Sequence, residues 1–482
     1  MPVNSIDAVN SADAGNLADK KTPGESPAAP RNGKNLTENE LQSEHSSLGE
    51  NDQDLDEDRD RSKQLSLVNQ DLENRSIDMV DLDRSSVDPA SVERSTSTPA
   101  SRERSRGISI ESLGYVWIFA VGALFLVRLL IDPAMVRRPL LAPNLTFGGL
   151  TFVCCSLFVF LMTNVITGEP TPEDLKGPSA AERILAKEEL AQDSDTQLRH
   201  GPGIPLLYVI PTIITAWVNS ADDVPTTEQK HVHYVYAAKL MAMLCQLAIV
   251  VGLVVIGYRH FENVRAGMGA AVLYLLLPYT ALMTERVMHV LPAALLVWAV
   301  VFYRRPEISG GLLGFATAAI YYPFFLLPLW IGFYWQRGLV RFVIGVFMSL
   351  ALVVLSLVWT TSDLSYCWGY LRPMRELVIL NNQGLQGFWQ GLGEAWRSYR
   401  YPVQAAYFGI SLAMVLWPAQ KNLGTLISCS ATIMLATQYW HGYDGGLYMA
   451  WYMPLVLLTI FRPNLEDRVA LAVLGNFWPS RR

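Results

Sequence analysis

For its first 112 residues the chain has no phenylalanine, tyrosine, tryptophan or cysteine; the first of these is Tyr115. A segment without aromatics and with few apolar clusters cannot bury enough surface to offset chain entropy. Residues 1–112 are therefore expected to be a disordered tail. The opening MPVNSIDAVN has no apolar core, so it does not read as a cleavable signal peptide. The acidic run NDQDLDEDRD (51–60) lacks the turn glycine and closing glutamate of a calcium loop and reads as a solvated stretch. The basic Ser/Arg stretch 94–109 reads as a linker whose basic end helps set topology.

Cysteine is scarce throughout, at five residues in 482. Cys154, Cys155, Cys245 and Cys429 lie in apolar runs, where cysteine behaves as a small hydrophobe. Cys367 lies in a loop without an obvious partner. No disulfide framework is implied. Charge is also scarce, at 17% of residues. It is unevenly placed: the tail has 13 Lys/Arg and 23 Asp/Glu, a net −10, whereas the other 370 residues have 25 and 21, a net +4. That balance gives no basic surface for nucleic acid. GxSxG, Walker A, HExxH and dinucleotide glycine patterns are missing from any supporting context.

What is present is long apolar sequence. A bilayer core needs about 20 apolar residues per helix. Segments near 114–131, 147–167, 234–257, 268–283, 287–303, 340–359, 403–417, 424–439 and 446–461 meet or approach that length. Residues 203–219 are apolar but broken by proline. Residues 310–335 are too long for one span, and Tyr322-Pro323 interrupts them; two short helices that enter and return are expected. The predicted fold class is all-α: a polytopic integral membrane helical bundle of about ten to twelve membrane segments. It would have a disordered acidic tail (1–112), a transmembrane domain (113–465) and a short C-terminal tail (466–482).

The Lys/Arg bias predicts orientation. Arg102, Arg104 and Arg106 place the tail in the cytoplasm, together with Arg259/Arg265, Arg304/Arg305, Arg337/Arg341, Lys421 and Arg462/Arg468. The opposite face would receive 132–146, 220–232, 284–289, 360–402 and 440–445, although Arg137 and Arg138 there break the rule. The expected location is a bacterial inner membrane with a cytoplasmic N-terminus.

Polar groups gathered at one membrane face mark candidate chemistry. On the expected outer face stand Asp132, Arg199-His200, Asp222-Asp223, Arg286 and His289 one helical turn apart, Arg372, Arg375, Arg397, His441 and Asp444. One carboxylate as base, with Arg and His around a phosphate, suits group transfer from a phosphorylated lipid. Each has a plainer role open to it. Asp132 before Pro133 suits a helix end, Asp222-Asp223 a turn or cap, and Arg286 a helix-end position at the interface. The aromatics of 360–402 suit an interfacial belt as well as sugar stacking.

Three blocks carry a resemblance: YAAKLMAMLCQLAIVVGLVVIGYRHF (236–261), RRPEISGGLLGFATAAIYYPFFLLPLWI (304–331) and YWHGYDGGLYMAWYMPLVLL (439–458). The last has Tyr448, Trp451 and Pro454 in a Tyr-x-x-Trp-x-x-Pro pattern, and GPGIPLL (201–207) adds a Pro-rich segment. Over roughly 350 residues the chain resembles the GT-C membrane glycosyltransferases, most nearly the mannosyltransferase-like glycosyltransferase family 87. Ile320 stands where the family often has lysine. The resemblance implies a polyprenyl-phosphate-linked sugar donor, a hexose such as mannose, and a lipid or glycan acceptor hydroxyl at the outer face. It implies Asp132 as base. Arg199, His200, Arg286, His289, His441 and Asp444 are the substrate-binding candidates. Neither a cofactor nor a metal is implied, and the other partner is membrane lipid. Two further readings stay open: a transporter or flippase of a lipid-linked substrate, and a non-enzymatic membrane protein.

Overall fold

A computed structural model describes residues 110–134, 143–188, 201–219, 227–360, 385–391, 397–417, 421–443 and 445–463. The expected tail lies outside the described residues, as do Cys367, Arg199, His200, Asp222, Asp223, Arg372, Arg375 and Asp444.

The described residues are helical, with no strand among them. In order they form α1 (Ile110–Ile131), a 3₁₀ turn (Asp132–Ala134), α2 (Phe147–Thr167), α3 (Pro172–Ala186), α4 (Gly203–Asn219) and α5 (Thr227–Arg259). Then come α6 (Val264–Leu276), the short α7 (Pro278–Leu282), α8 (Val287–Val301), α9 (Pro306–Ile320), a 3₁₀ turn (Tyr322–Leu326) and α10 (Leu327–Tyr334). The last are α11 (Leu339–Thr360), the single turn α12 (Phe388–Gly391), α13 (Arg400–Leu416), α14 (Leu423–Trp440), a 3₁₀ turn (Met449–Trp451) and α15 (Met453–Phe461). Four stretches are long and apolar enough to cross a membrane: Leu113–Ile131, Phe147–Thr167, Gln229–Arg259 and Leu339–Thr360. Their apolar side chains also cover the outside. Leu124, Phe152 and Phe347 are exposed, and Trp217 on α4 is 81% exposed. Such a surface is stable against lipid rather than water, and helices satisfy their own backbone groups there. The chain is a membrane-embedded helical protein.

The break at Tyr322-Pro323 is where the sequence places it. α9 ends at Tyr321, whose φ of 60° and ψ of −41° no helix can continue. Pro323 then opens the 3₁₀ turn. The chain returns along α10 until the Tyr334 hydroxyl donates to the Tyr303 carbonyl, just before α9 began (2.5 Å). α9 and α11 are packed backbone to backbone. A Cβ on Gly310 would lie 2.2 Å from the Phe342 carbonyl oxygen, and one on Gly345 2.0 Å from that of Glu307. Small residues permit this approach where lipid offers no hydrophobic drive between helices.

The bundle has two ends, and contacts assign the helix termini to each. α1 and α14 run antiparallel, since Ser428 donates to the Leu129 carbonyl (3.3 Å) and Tyr439 to that of Phe119 (3.1 Å). At the end of α1, the fully buried carboxylate of Asp132 lies between two guanidiniums. Arg128 reaches Oδ1 at 2.8 Å and Arg462, just beyond α15, reaches Oδ2 at 2.5 Å. Arg462 also lies against Gly424 at the start of α14. The starts of α6 and the end of α15 meet here too, with Gly269 beside Phe461 and Pro143.

This corrects the expected sidedness. Asp132 and Arg462 were expected on opposite faces, yet they share an ion pair. Consequently the first residues of α1 and the end of α15 lie at opposite ends of the bundle.

Removing one partner of a buried ion pair strands the other charge. Arg462→Ala is expected to destabilise the fold by about 3–5 kcal/mol, seen as a lower heating midpoint for the detergent-solubilised chain. Arg128, more exposed, is expected to contribute less on substitution.

Candidate functional site

The end away from Asp132 gathers the aromatic and histidine side chains. Tyr322, pointed inward by the break after α9, lies with its ring 4.4 Å from His441 and 5.6 Å from both Trp440 and Trp451. Tyr448 stacks on Trp451 at 4.4 Å and on His289 at 4.6 Å, with His441 at 5.1 Å. The Tyr279 hydroxyl and His289 Nδ1 are 2.6 Å apart. The rings thus form a continuous set from the buried Trp440 to the half-buried Tyr448, His289 and Tyr279. Two predicted residues far apart in sequence, His289 and His441, meet here on either side of Tyr448.

A carboxylate stands beside them. α3 begins with Thr171-Pro-Glu-Asp174, a capping box in which Asp174 accepts from the Thr171 hydroxyl (2.5 Å) and backbone N–H (3.3 Å). Arg286, one turn before His289, donates to Asp174 at 3.4 Å and to the Thr171 hydroxyl. Burial raises the Asp174 carboxyl above the usual aspartate range; the Thr171 hydrogen bond and the Arg286 charge oppose that only in part. The cluster ties α3 to the start of α8. Farther along α3, Glu182 accepts from Tyr234 and pairs with Lys230 at 3.3 Å, both on α5.

α4 begins at the same end. Gly201 N–H donates to the Ala319 carbonyl (2.7 Å), and a Cβ on Gly201 would stand 1.9 Å from the Ala318 carbonyl oxygen. Only glycine permits this approach to the break in α9. α5 passes this end on its way into the bundle: Lys239, twelve residues after its start, donates to the Ile166 carbonyl near the end of α2 (2.7 Å). Seven residues join α4 to α5, too few to bring a chain back across a bilayer core about 30 Å thick. α4 therefore does not cross, and α3 and α4 together cover this end.

Of the predicted site residues, the structure brings Arg286, His289 and His441 together here. It sets Asp132 at the other end, with both carboxylate oxygens engaged. Arg199, His200 and Asp444 lie outside the described residues. Sequence reasoning missed Asp174, Tyr279, Tyr322 and Arg400. The capping-box pattern Thr-x-x-Asp was a usable signal for Asp174. Arg400 opens α13 with its Nε donating to the Trp440 carbonyl (2.8 Å). Among the described residues, no cluster of three or more His, Cys, Asp or Glu could hold a metal. Comparison with protein-family models, characterised proteins and solved structures finds no match for this chain.

The close approach at Gly201 gives a clean test. Gly201→Ala is expected to force the α4 start away from α9 and lower stability by about 1–3 kcal/mol. Limited proteolysis between α3 and α5 is expected to accelerate, while Gly409→Ala on a bare helix face, where a Cβ meets nothing within 4 Å, is expected to change little.

Proposed function

We propose that the chain is a GT-C-like membrane glycosyltransferase. In this reading it moves a sugar from a polyprenyl-phosphate donor to an acceptor hydroxyl at the aromatic end. The observation that carries it is a buried carboxylate, Asp174, paired with Arg286 one helical turn from the stacked set His289–Tyr448–Trp451. Carboxylates with flat aromatic faces suit a sugar, and guanidinium or imidazole groups suit a phosphate. In this reading the base is Asp174 rather than Asp132. The acceptor oxygen bonds to the anomeric carbon as the bond from that carbon to the lipid phosphate breaks. The electron pair leaves with the phosphate, the acceptor proton passes to Asp174, and the configuration inverts.

The proposed topology has eleven crossings: α1, α2, α5, α6, α8, α9, α10 with its preceding 3₁₀ turn, α11, α13, α14 and α15. The end holding Asp132 then also carries Arg259, Arg265, Arg304, Arg305, Arg337, Arg341, Lys421 and Arg462, so it is the cytoplasmic one. In this reading the catalytic end faces the outer side. Cysteines introduced before residue 110 and after residue 463 of the full chain are expected to react with a membrane-impermeant reagent only at the first position in intact cells. Labelling of both, or of the second alone, overturns this topology.

The activity is tested by mass spectrometry of glycolipids and surface glycans from wild type, a deletion and complemented strains. One glycan is expected to lose a sugar in the deletion. Asp174→Asn is expected to fail to restore it at normal protein level. Asp132→Asn is expected to reduce the amount of protein while the activity per molecule stays within about threefold of wild type. Because burial raises the Asp174 carboxyl, the basic form appears only above the usual aspartate range. The acid limb of the rate profile is therefore expected at higher pH than for an exposed aspartate. Identical glycan profiles in all strains overturn the transferase reading and favour a carrier of lipid-linked substrate; full restoration by Asp174→Asn removes the assigned base.

A further inference from the structure

α13 pairs an apolar outer face with a buried polar one. It packs on α10 and α14, and its outer face, with Leu412 and Leu416, is exposed and apolar. Its inner face is polar. Arg400, Gln404, Tyr407 and Ser411 follow at spacings of four, three and four, one side of a helix. Arg400, Gln404 and Tyr407 are at most 6% exposed. Buried polar groups in a membrane helix are costly and face a partner, a path or a ligand.

The facing wall adds donors. The Tyr407 ring lies 5.3 Å from that of Trp440 and 5.2 Å from Phe325 in the turn after α9. Trp440 is 1% exposed, and its indole N–H finds no acceptor among the described residues. One turn before Arg400, the buried Nε of Arg397 likewise finds none. Arg400 itself is 5% exposed and lies at the mouth of this seam, against Gly442 and the carbonyl of Trp440. Guanidinium and indole nitrogens only donate. A set of such donors at the top of a polar stripe fits a group rich in acceptor oxygens and carrying negative charge. The apolar outer face of α13 fits a tail lying in the bilayer.

We propose that the mouth of the α13–α14 seam binds the phosphate group of a phosphorylated lipid, held by Arg397 and Arg400, with the Trp440 indole and Tyr407 hydroxyl deeper in the stripe. The lipid tail runs along α13 from the side of the bundle. This rests on the reading of the chain as one that handles lipid-linked phosphate, but not on Asp174 or on transfer of a sugar. Arg400 is a binding residue here, in addition to closing the last carbonyls of α14.

The test uses the full chain in lipid nanodiscs and native mass spectrometry, with a polyprenyl phosphate, the matching polyprenol and inorganic phosphate as probes. Wild type is expected to hold the polyprenyl phosphate at least tenfold more tightly than the polyprenol, with inorganic phosphate weak. Loss of a charge-assisted contact is worth roughly tenfold to a hundredfold in affinity, so Arg400→Gln is expected to weaken the lipid phosphate by that factor. Arg400→Lys is expected to weaken it less. Trp440→Phe keeps an aromatic ring, though a smaller one, and removes the N–H, and is expected to weaken it severalfold. None of these is expected to alter polyprenol binding. An Arg400→Gln chain that is less heat-stable yet binds polyprenyl phosphate like wild type overturns the proposal and leaves Arg400 as a helix cap. Inorganic phosphate binding as well as the lipid overturns the lipid assignment. Tight, Arg400-dependent binding together with unchanged glycans in the deletion would sink the transferase reading while this site stands. A sugar lost with Asp174→Asn but binding indifferent to Arg400 gives the reverse.

Discussion

One carboxylate organises the bundle. Asp132 ends the first helix in surroundings without water, where an unpaired charge costs several kcal/mol. It is tolerated because Arg128 approaches from its own helix and Arg462 from the far end of the chain. That pair joins α1 to α15 and sets them both against the start of α14. With this end closed by charge, the opposite end is left to aromatic rings, two histidines and the helices α3 and α4. The same pair holds the end of α1 and the residue just after α15 at one end of the bundle.

Much of the fold was legible because apolar length is a strong signal. The helices at 147–167 and 339–360 match the apolar runs, and the split at Tyr322-Pro323 follows from what proline does to a helix. Sidedness was harder to read. Charge bias alone assigns Asp132 and Arg462 to opposite faces, and only their ion pair, across 330 residues of sequence, brings them to one. Counting α4 correctly required knowing where Gly201 sits, which no periodicity encodes. An apolar helix with a proline at Pro211 looks alike whether it crosses or lies along an end.

The candidate site was legible in parts. Arg286 and His289 are one turn apart, so their shared face follows from helical geometry alone. That His441 would meet them, across Tyr448, depends on how α8 and the 441–452 segment pack. Asp132 was chosen for its place after the first helix; its true neighbour, Arg462, is 330 residues away. Asp174 lay unremarked in an ordinary helix start, where a capping carboxylate has a sufficient local role. Only burial against α8 and the approach of Arg286 give it a second one. Arg400 was passed over for the arginines of the preceding loop, although its spacing to Gln404, Tyr407 and Ser411 already described a polar stripe.

The separation of Asp132 from Arg462 also orders events in time. At typical synthesis rates the second residue leaves the ribosome roughly 15–65 s after the first. During that interval the carboxylate has Arg128 as its neighbour, and the groove on α14 that receives both ends is itself made late. The bundle therefore closes only when its final turn arrives. A chain released before residue 462 would hold Asp132 by Arg128 alone, with one of its two carboxylate oxygens lacking its guanidinium.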